Sequence, residues 1–91
     1  MTQISVERKH SLGRDAARQK AEALVDKLAR EYDLKARWDG DRVEVKRSGA
    51  NGSIEIGEDS IRVELKLGMM LSMMGGTIKG EIERALDKAL A

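Results

Sequence analysis

Few residues of this 91-residue sequence could do chemistry, and the first is its only histidine, His10. A general base needs a partner that orients it, and the nearest acid is Glu7. Positions 7 and 10 point to opposite faces of an extended strand, so the pair would need a bend in the chain. The metal-site spacings HxH and HExxH are absent. We therefore expect His10 to be a solvated loop residue rather than a catalytic or metal-binding one.

Paired acidic residues occur at Asp39/Asp41 and at Glu58/Asp59, both beside glycines that indicate turns. General acid catalysis would need burial to shift a carboxyl pKa, and nothing in these segments indicates burial. Asp suits turns because its side chain bonds the nearby backbone. The sequence has no Cys, which excludes a thiol nucleophile, a disulfide scaffold and a thiolate zinc site. These features predict a protein that is not an enzyme and has no metal or other cofactor.

The letters Gly49-Ala50-Asn51-Gly52 match the GxxG loop with which KH domains clamp a nucleic-acid backbone. That loop lies between two helices, whereas strand patterns flank this one, so we predict a hairpin in which glycine permits a positive φ. The balance of 17 Lys+Arg and 16 Asp+Glu, a formal net charge of +1, also argues against a protein that coats nucleic acid. We predict no nucleic-acid partner.

A methionine cluster is the least ordinary feature, because four of the five methionines lie within positions 69–74. Methionine is flexible and polarisable, and it recurs on surfaces that bind varied apolar partners. One interpretation is that the cluster closes the end of a core that has no Phe. The other is an exposed apolar edge that meets a hydrophobic surface or partner. The candidate contact residues are Met69, Met70, Leu71, Met73 and Met74.

The elements that must position these residues follow from hydrophobic periodicity. Residues 3–9 alternate as a strand, Arg14–Tyr32 shows a helical stripe, and Leu34–Leu67 alternates with period two between turn signals. A second helical stripe begins at Thr77. In this second helix Glu83 and Asp87 are like charges four residues apart, so amphipathicity rather than ion pairing is expected to stabilise it. The prediction is one two-layer α+β domain over residues 1–91, with order β-α-β-β-β-β-α and both helices on one face of an antiparallel meander.

Two-residue turns at 39–40, 49–50 and 58–59 place every apolar strand residue opposite another apolar residue. Agreement among three turns supports one apolar sheet face and one charged, solvated face. The predicted partners are Ala36 with Val43, Leu34 with Val45, Val45 with Ile54, Val43 with Ile56, Ile54 with Val63, and Ile56 with Ile61.

No long apolar stretch occurs in the sequence. The first twenty residues contain no apolar run, so no signal peptide is expected. The longest apolar stretch, Met69–Met74 with one Ser tolerated, is far shorter than the ~20 residues of a bilayer span. We predict a soluble, cytoplasmic protein without a transmembrane segment.

Three segments, taken together and in order, resemble the polyhydroxyalkanoic acid system family of small bacterial proteins. They are Ile4-Ser5-Val6-Glu7-Arg8-Lys9-His10-Ser11-Leu12-Gly13, Arg47-Ser48-Gly49-Ala50-Asn51-Gly52-Ser53-Ile54, and Ile61-Arg62-Val63-Glu64-Leu65-Lys66-Leu67-Gly68 with the apolar segment and helix after it. The segment before the last helix often carries aromatic residues in the family, whereas here it is Met-rich.

The resemblance implies association with polyhydroxyalkanoate storage granules, because members are encoded beside genes for making, coating and using them. The family offers no established catalytic residues to carry over. The first hypothesis is a non-enzymatic accessory protein, at the granule surface or on a granule protein, that uses the Met69–Met74 edge. The alternatives are a binding or sensing domain for a small hydrophobic ligand such as a hydroxyacyl chain, which needs a cavity of a few hundred Å³, and a regulatory interaction module that could be a homodimer.

Overall fold

The computed structural model describes residues 2–90, and for Met70 it describes the backbone alone. The elements in chain order are β1 (Thr2–Lys9), α1 (Arg14–Tyr32), β2 (Lys35–Asp39), β3 (Arg42–Arg47), β4 (Ala50–Ile56), β5 (Ser60–Leu67), α2 (Met69–Ser72) and α3 (Gly75–Leu90). The predicted α+β architecture is confirmed, and α1 has the predicted bounds. The one-turn helix α2 is an addition directly before the last helix.

The five strands form one antiparallel sheet in the order β1-β5-β4-β3-β2. Strands β2 to β5 are the predicted meander, and β1 pairs with β5 along its whole length, from Thr2 opposite Leu67 to Lys9 opposite Ser60. β1 and β2 are therefore the two edge strands. The sheet has two ends: one carries the β3–β4 turn and the start of β1, and the other carries the β2–β3 and β4–β5 turns.

The register of β4 on β5 is the predicted one, with Ile54 opposite Val63 and Ile56 opposite Ile61. The other two hairpins differ from the prediction by two residues, because Val43 lies opposite both Trp38 and Ile54. The turns are centred on 40–41 and 48–49, where Gly40 and Gly49 adopt φ of 62° and 84°. A shift of two residues leaves each side chain on its predicted face, which is why the apolar face is still correct.

The core lies between α1, α3 and the apolar face of the sheet. Its side chains come from one stripe of each helix and from alternate residues of the strands, as the periodicity predicts. The buried apolar residues are Ile4, Val6, Ala17, Ala21, Leu24, Val25, Leu28, Val43, Val45, Ala50, Ile54, Ile56, Ile61, Val63, Leu65, Leu67, Ile78, Ile82 and Leu86.

The edge strand β2 is only partly covered by the helices. Ala36 was expected on the covered face but is exposed, while Leu34 and Trp38 on the same face are half-buried. The strand lies at the rim of the sheet, where α1 covers only part of it. Arg18 of α1 covers the ring of Trp38, with its guanidinium carbon 4.7 Å from the ring centre.

Gly49 and Gly52 have different structural roles. Gly49 has the positive φ expected in the predicted hairpin turn. Gly52 lies within β4 rather than in the turn, and a Cβ there would meet the Glu64 carbonyl oxygen at 2.2 Å and the Leu65 Cα at 2.9 Å. Glycine is needed at position 52 because β5 approaches the backbone too closely for any side chain.

Arg8 connects the edge strand β1 to α3. Its guanidinium lies 2.8 Å from Asp87 Oδ1 and 3.1 Å from Glu83 Oε2. The guanidinium donates a hydrogen bond to each carboxylate, and these two bonds, first the one to Asp87 and then the one to Glu83, raise the pKa of Arg8. The like-charged pair on α3 is thus bridged by a cation from another element, a contact that spacing within the helix does not predict.

Candidate functional site

The methionine corner, defined here as residues 69–74, lies at the end of the sheet where β5 leads into α3. Met69 and Met73 are 84% and 94% exposed, and Met74 is 42% exposed. Water therefore surrounds two methionine side chains almost entirely. The side chain of Met70 is outside the described part of the chain, so the prediction for that residue rests on the sequence alone.

Leu71 is the member of the corner that points inward. It packs against the core and lines the space between the layers together with Ala50, Leu67 and Ile78. The two interpretations of the cluster thus apply to different residues. Leu71 closes the end of the core, while Met69, Met73 and Met74 form an exposed apolar edge.

Backbone hydrogen bonds hold the corner in place. The Gly68 N–H donates to the Gly49 carbonyl at 2.7 Å, which joins the end of β5 to the β3–β4 turn. The Ser72 hydroxyl donates to the Gly68 carbonyl at 2.9 Å, and the Ile78 N–H donates to the Met74 carbonyl at 2.9 Å. The exposed methionines are therefore presented by an anchored segment rather than by a long loop.

Charge is absent from the stretch that contains the corner. Residues 67–78 include no Asp, Glu, Lys or Arg, although such residues make up 36% of the sequence. At that frequency roughly four charges would be expected in twelve residues, and Lys66 and Lys79 flank the gap directly. An exposed, uncharged, Met-rich segment in so charged a chain is a typical interaction surface.

A small cavity lies between the helices and the sheet, but its volume is only about 20 Å³. Aliphatic side chains including Leu28, Val45 and Ile54 form most of its wall. Pockets that hold small ligands have volumes of roughly 300–1,000 Å³. This space, about the size of one water molecule, does not supply the cavity that the ligand-binding alternative requires.

His10 is not the solvated residue that the sequence predicts. Its backbone N–H donates to the Asp59 carbonyl at 2.9 Å, which holds the residue against the β4–β5 turn. Nδ1 accepts a hydrogen bond from the Leu12 N–H at 3.2 Å, and Nε2 is buried without a partner among residues 2–90. Glu7 contacts Arg62 at 3.1 Å instead, so the structure does not bring the histidine and its nearest acid together as a catalytic pair.

Two of the four acidic turn residues, Asp41 and Glu58, contact arginines. Asp41 lies 3.4 Å from Arg14 and 3.5 Å from Arg18, and Glu58 lies 3.9 Å from Arg14. These distances are those of ordinary exposed ion pairs. Within residues 2–90, no three His, Asp or Glu side chains come together as a possible metal site.

One interaction between helices was not predicted from the sequence. The Tyr32 hydroxyl at the end of α1 donates a hydrogen bond to Glu81 of α3. Partial burial and then this hydrogen bond raise the pKa of Tyr32 to about 12, and the same bond lowers the pKa of Glu81. An amphipathic pattern places Tyr32 on the buried stripe but gives no indication of an acceptor 49 residues later.

Fold and corner together define a small two-layer α+β protein with an exposed apolar corner. The chain belongs to the polyhydroxyalkanoic acid system protein family (PHA_gran_rgn), whose model matches residues 4–90. The resemblance carried by the three sequence segments is thereby confirmed. No helix among the described residues is both long enough and apolar enough to cross a membrane.

Comparison with solved structures supports the fold. The NMR structure of PA4090 from Pseudomonas aeruginosa is similar, with a TM-score of 0.59 at 9% sequence identity. The match covers 97% of this chain and 83% of that one. At such low identity the similarity concerns the fold alone. No protein with a curated description matches this sequence.

Proposed function

We propose that this protein is a non-enzymatic accessory protein of polyhydroxyalkanoate metabolism that contacts the polyester surface of storage granules in the cytoplasm. The observation that carries the proposal is the exposure of Met69, Met73 and Met74 on an anchored, uncharged segment. Family membership supplies the context of polyhydroxyalkanoate metabolism, and the corner supplies the candidate contact.

The chemistry of methionine suits such a surface. A polyester particle presents ester and alkyl groups in irregular arrangement, with no fixed pocket for a rigid side chain. The unbranched methionine side chain adapts to irregular apolar contacts. Complete burial of one such side chain is worth about 1.5–3 kcal/mol, so three partly buried ones contribute a few kcal/mol. A binding free energy of about 4 kcal/mol corresponds to a Kd of about 1 mM, so apolar contact of this size supports weak, reversible association.

A non-catalytic role agrees with the contacts that the acidic side chains and His10 make. Glu7, Asp41 and Glu58 contact arginines, and the Nδ1 atom of His10 accepts a backbone hydrogen bond. Their partners are groups that stabilise turns and strand pairs. The function proposed here therefore rests on an apolar surface and not on a reacting group.

Flotation of the purified protein with bare polyester particles tests the proposal. We expect the wild type to float with the particles, and the triple variant Met69→Ser/Met73→Ser/Met74→Ser to lose roughly tenfold or more of this binding. Leu12→Ser is the matched control, because Leu12 is an exposed apolar residue, 40% accessible, away from the corner. It should bind like the wild type.

Folding is checked in the same samples by the fluorescence of the single tryptophan, Trp38. Substitution of exposed methionines should change stability by less than about 0.5 kcal/mol. A folded wild type that stays with the buffer would overturn the polyester contact and direct attention to a granule protein. Equal flotation of the triple variant and the wild type would overturn the assignment of the corner.

A further inference from the structure

The strand register places three lysines in one row across the open face of the sheet. Lys66 of β5 lies opposite Asn51 of β4, which lies opposite Lys46 of β3, which in turn lies opposite Lys35 of β2. All three lysine side chains are exposed. We name Lys35, Lys46 and Lys66 the lysine row.

The lysine row takes no part in the ion pairs of the part of the chain that the structure describes. Every ion pair described among residues 2–90 uses an arginine: Arg8, Arg14, Arg18, Arg42 or Arg62. On the same sheet face, nearer the other end, Arg62 contacts Glu7 and Arg42 contacts Glu55, each at 3.1 Å. The ammonium groups of the row remain available for a partner outside the chain.

The row lies at the same end of the sheet as the methionine corner. Lys66 is one residue from the end of β5 and three residues from Met69. Lys46 is one residue from the end of β3, and the turn that follows contacts the corner through the bond between Gly49 and Gly68. Lysine side chains are long enough to reach round such an edge while their stems cover apolar surface.

The acidic residues of this face that lie nearest to the lysine row are Glu44 and Glu64. They flank Ser53 in the next row, two residues further from the methionine corner along each strand. The two rows are roughly 6.6 Å apart, so the glutamates weaken the field of the lysine row, but three lysines outnumber two glutamates and lie nearer to a surface in contact with the corner. The charge presented at that end of the sheet is therefore positive.

We propose that the lysine row binds carboxylates on the same particle surface that the methionine corner contacts; this inference rests on the proposed function. A polyester built from hydroxy acids ends in a carboxylate by its own chemistry, so its surface is apolar with scattered negative charges. The methionines supply the apolar contact. The lysines orient the domain with this end of the sheet toward the polymer.

Two kinds of polyester particle test the inference: particles with free carboxylate ends, and the same particles with these ends converted to methyl esters. The wild type should bind carboxylate particles roughly tenfold or more tightly at low salt than at high salt. On methyl-ester particles, binding should be weaker and nearly independent of salt. The triple variant Lys35→Gln/Lys46→Gln/Lys66→Gln should bind both kinds of particle as the wild type binds the methyl-ester ones.

The triple variant Lys20→Gln/Lys27→Gln/Lys88→Gln is the matched control. It removes the same charge from exposed positions on α1 and α3, away from the open sheet face, and should keep the wild-type salt dependence. Wild-type binding that is insensitive to salt and to end groups would overturn the inference and leave the proposed function in place. Equal loss of binding in both triple variants would mean that net charge, and not the position of the lysines, determines binding. That result would also overturn the inference. Absence of wild-type binding to either particle would overturn both proposals.

Discussion

The two ends of the sheet use their charged and apolar residues in opposite ways. At the end with the β2–β3 and β4–β5 turns, Arg14, Arg18 and Arg42 all contact carboxylates of the same chain. At the other end the lysine row has no such partners among residues 2–90, and methionine side chains face water. The first end pairs several of its charges within the chain, and the second presents groups for which the described residues supply no partner.

The difference follows from the chemistry of the two basic side chains and from how each end is held together. Arginine forms several directed hydrogen bonds with carboxylates, whereas lysine is a hydrated point charge on a flexible stem. Arginine accordingly joins elements at the first end: Arg18 contacts Asp41, donates to the Gly40 carbonyl and covers Trp38. We call the end that carries the methionine corner the methionine end. It is held by the close approach of the β5 backbone to Gly52, by the packing of the Thr2 side chain against Gly75, and by the hydrogen bond between Gly68 and Gly49.

The largest effect on stability is expected from Gly52→Ala, because this substitution places a methyl group where β4 and β5 pack closely at the methionine end. A Cβ at position 52 would lie 2.2 Å from the Glu64 carbonyl oxygen, so β4 and β5 must separate. We expect a loss of roughly 2–3 kcal/mol in the free energy of unfolding. Denaturant titration followed by Trp38 fluorescence measures it.

Gly76→Ala is the control for this substitution, because a Cβ at position 76 of α3 meets nothing within 4 Å. Alanine should be neutral there or stabilising by about 0.5–1 kcal/mol. If both alanine variants unfold alike, the methionine end does not depend on close packing, and the comparison between the two ends loses half of its basis.

An intermediate effect is expected from Arg8→Met, which removes the ion pairs to Glu83 and Asp87 but keeps an apolar stem. The like charges on α3 then repel without a bridging cation, so we expect Tm to fall by several degrees at low salt. The difference should shrink at high salt, because screening weakens both the ion pairs and the repulsion.

Arg37→Met provides the contrast, since Arg37 is exposed and lies outside every ion pair described among residues 2–90. Its Tm should barely change. The Gly52→Ala effect should also be insensitive to salt. A salt-independent loss in Arg8→Met would show that the stem of the side chain, and not its charge, joins β1 to α3.

Periodicity predicted most of the fold, because burial imposes period two on strands and 3.6 on helices regardless of the partner. It identified the bounds of α1 and the correct face of each strand even where two hairpins are shifted by two residues. The turn centres were wrong because Asp39-Gly40 and Gly49-Ala50 each allow neighbouring positions, and only the positive φ of Gly40 and Gly49 selects between them.

Interactions between distant residues could not be predicted, since spacing along one element carries no information about the next. Arg8 meets carboxylates 75 and 79 residues away, and the close approach of β5 to Gly52 depends on how the strands twist. The sequence identified the methionine cluster as apolar but left open whether it closes the core or forms an exposed edge. Leu67, Leu71 and Ile78 already fill that end of the core, and this is why the methionines remain outside.

The smallest effect at neutral pH is expected from the hydrogen bond between Tyr32 and Glu81, which joins the last residue of α1 to α3. This hydrogen bond is detected by titrating the Tyr32 phenol. The pKa of Tyr32 is raised from 10.0 to about 12, so the folded protein holds the phenol proton more tightly than the unfolded chain. The stabilisation is complete below pH 10 and is lost as the pH rises through about 12.

Tyr32 is the only tyrosine, so tyrosinate absorbance reports this group alone. We expect a midpoint near 12 in the folded protein and near 10 in denaturant. Glu81→Gln should lower the folded midpoint, because a neutral amide stabilises the phenol less than a carboxylate does, while partial burial keeps the midpoint above that of the unfolded chain. In acid, the pH dependence of stability has the opposite sign, because the pKa of Glu81 is lowered in the folded protein. The contribution of Glu81 to stability is present above about pH 4.5 and declines as the pH falls. A folded midpoint equal to that of the denatured chain would mean that the two helices are not joined through this pair.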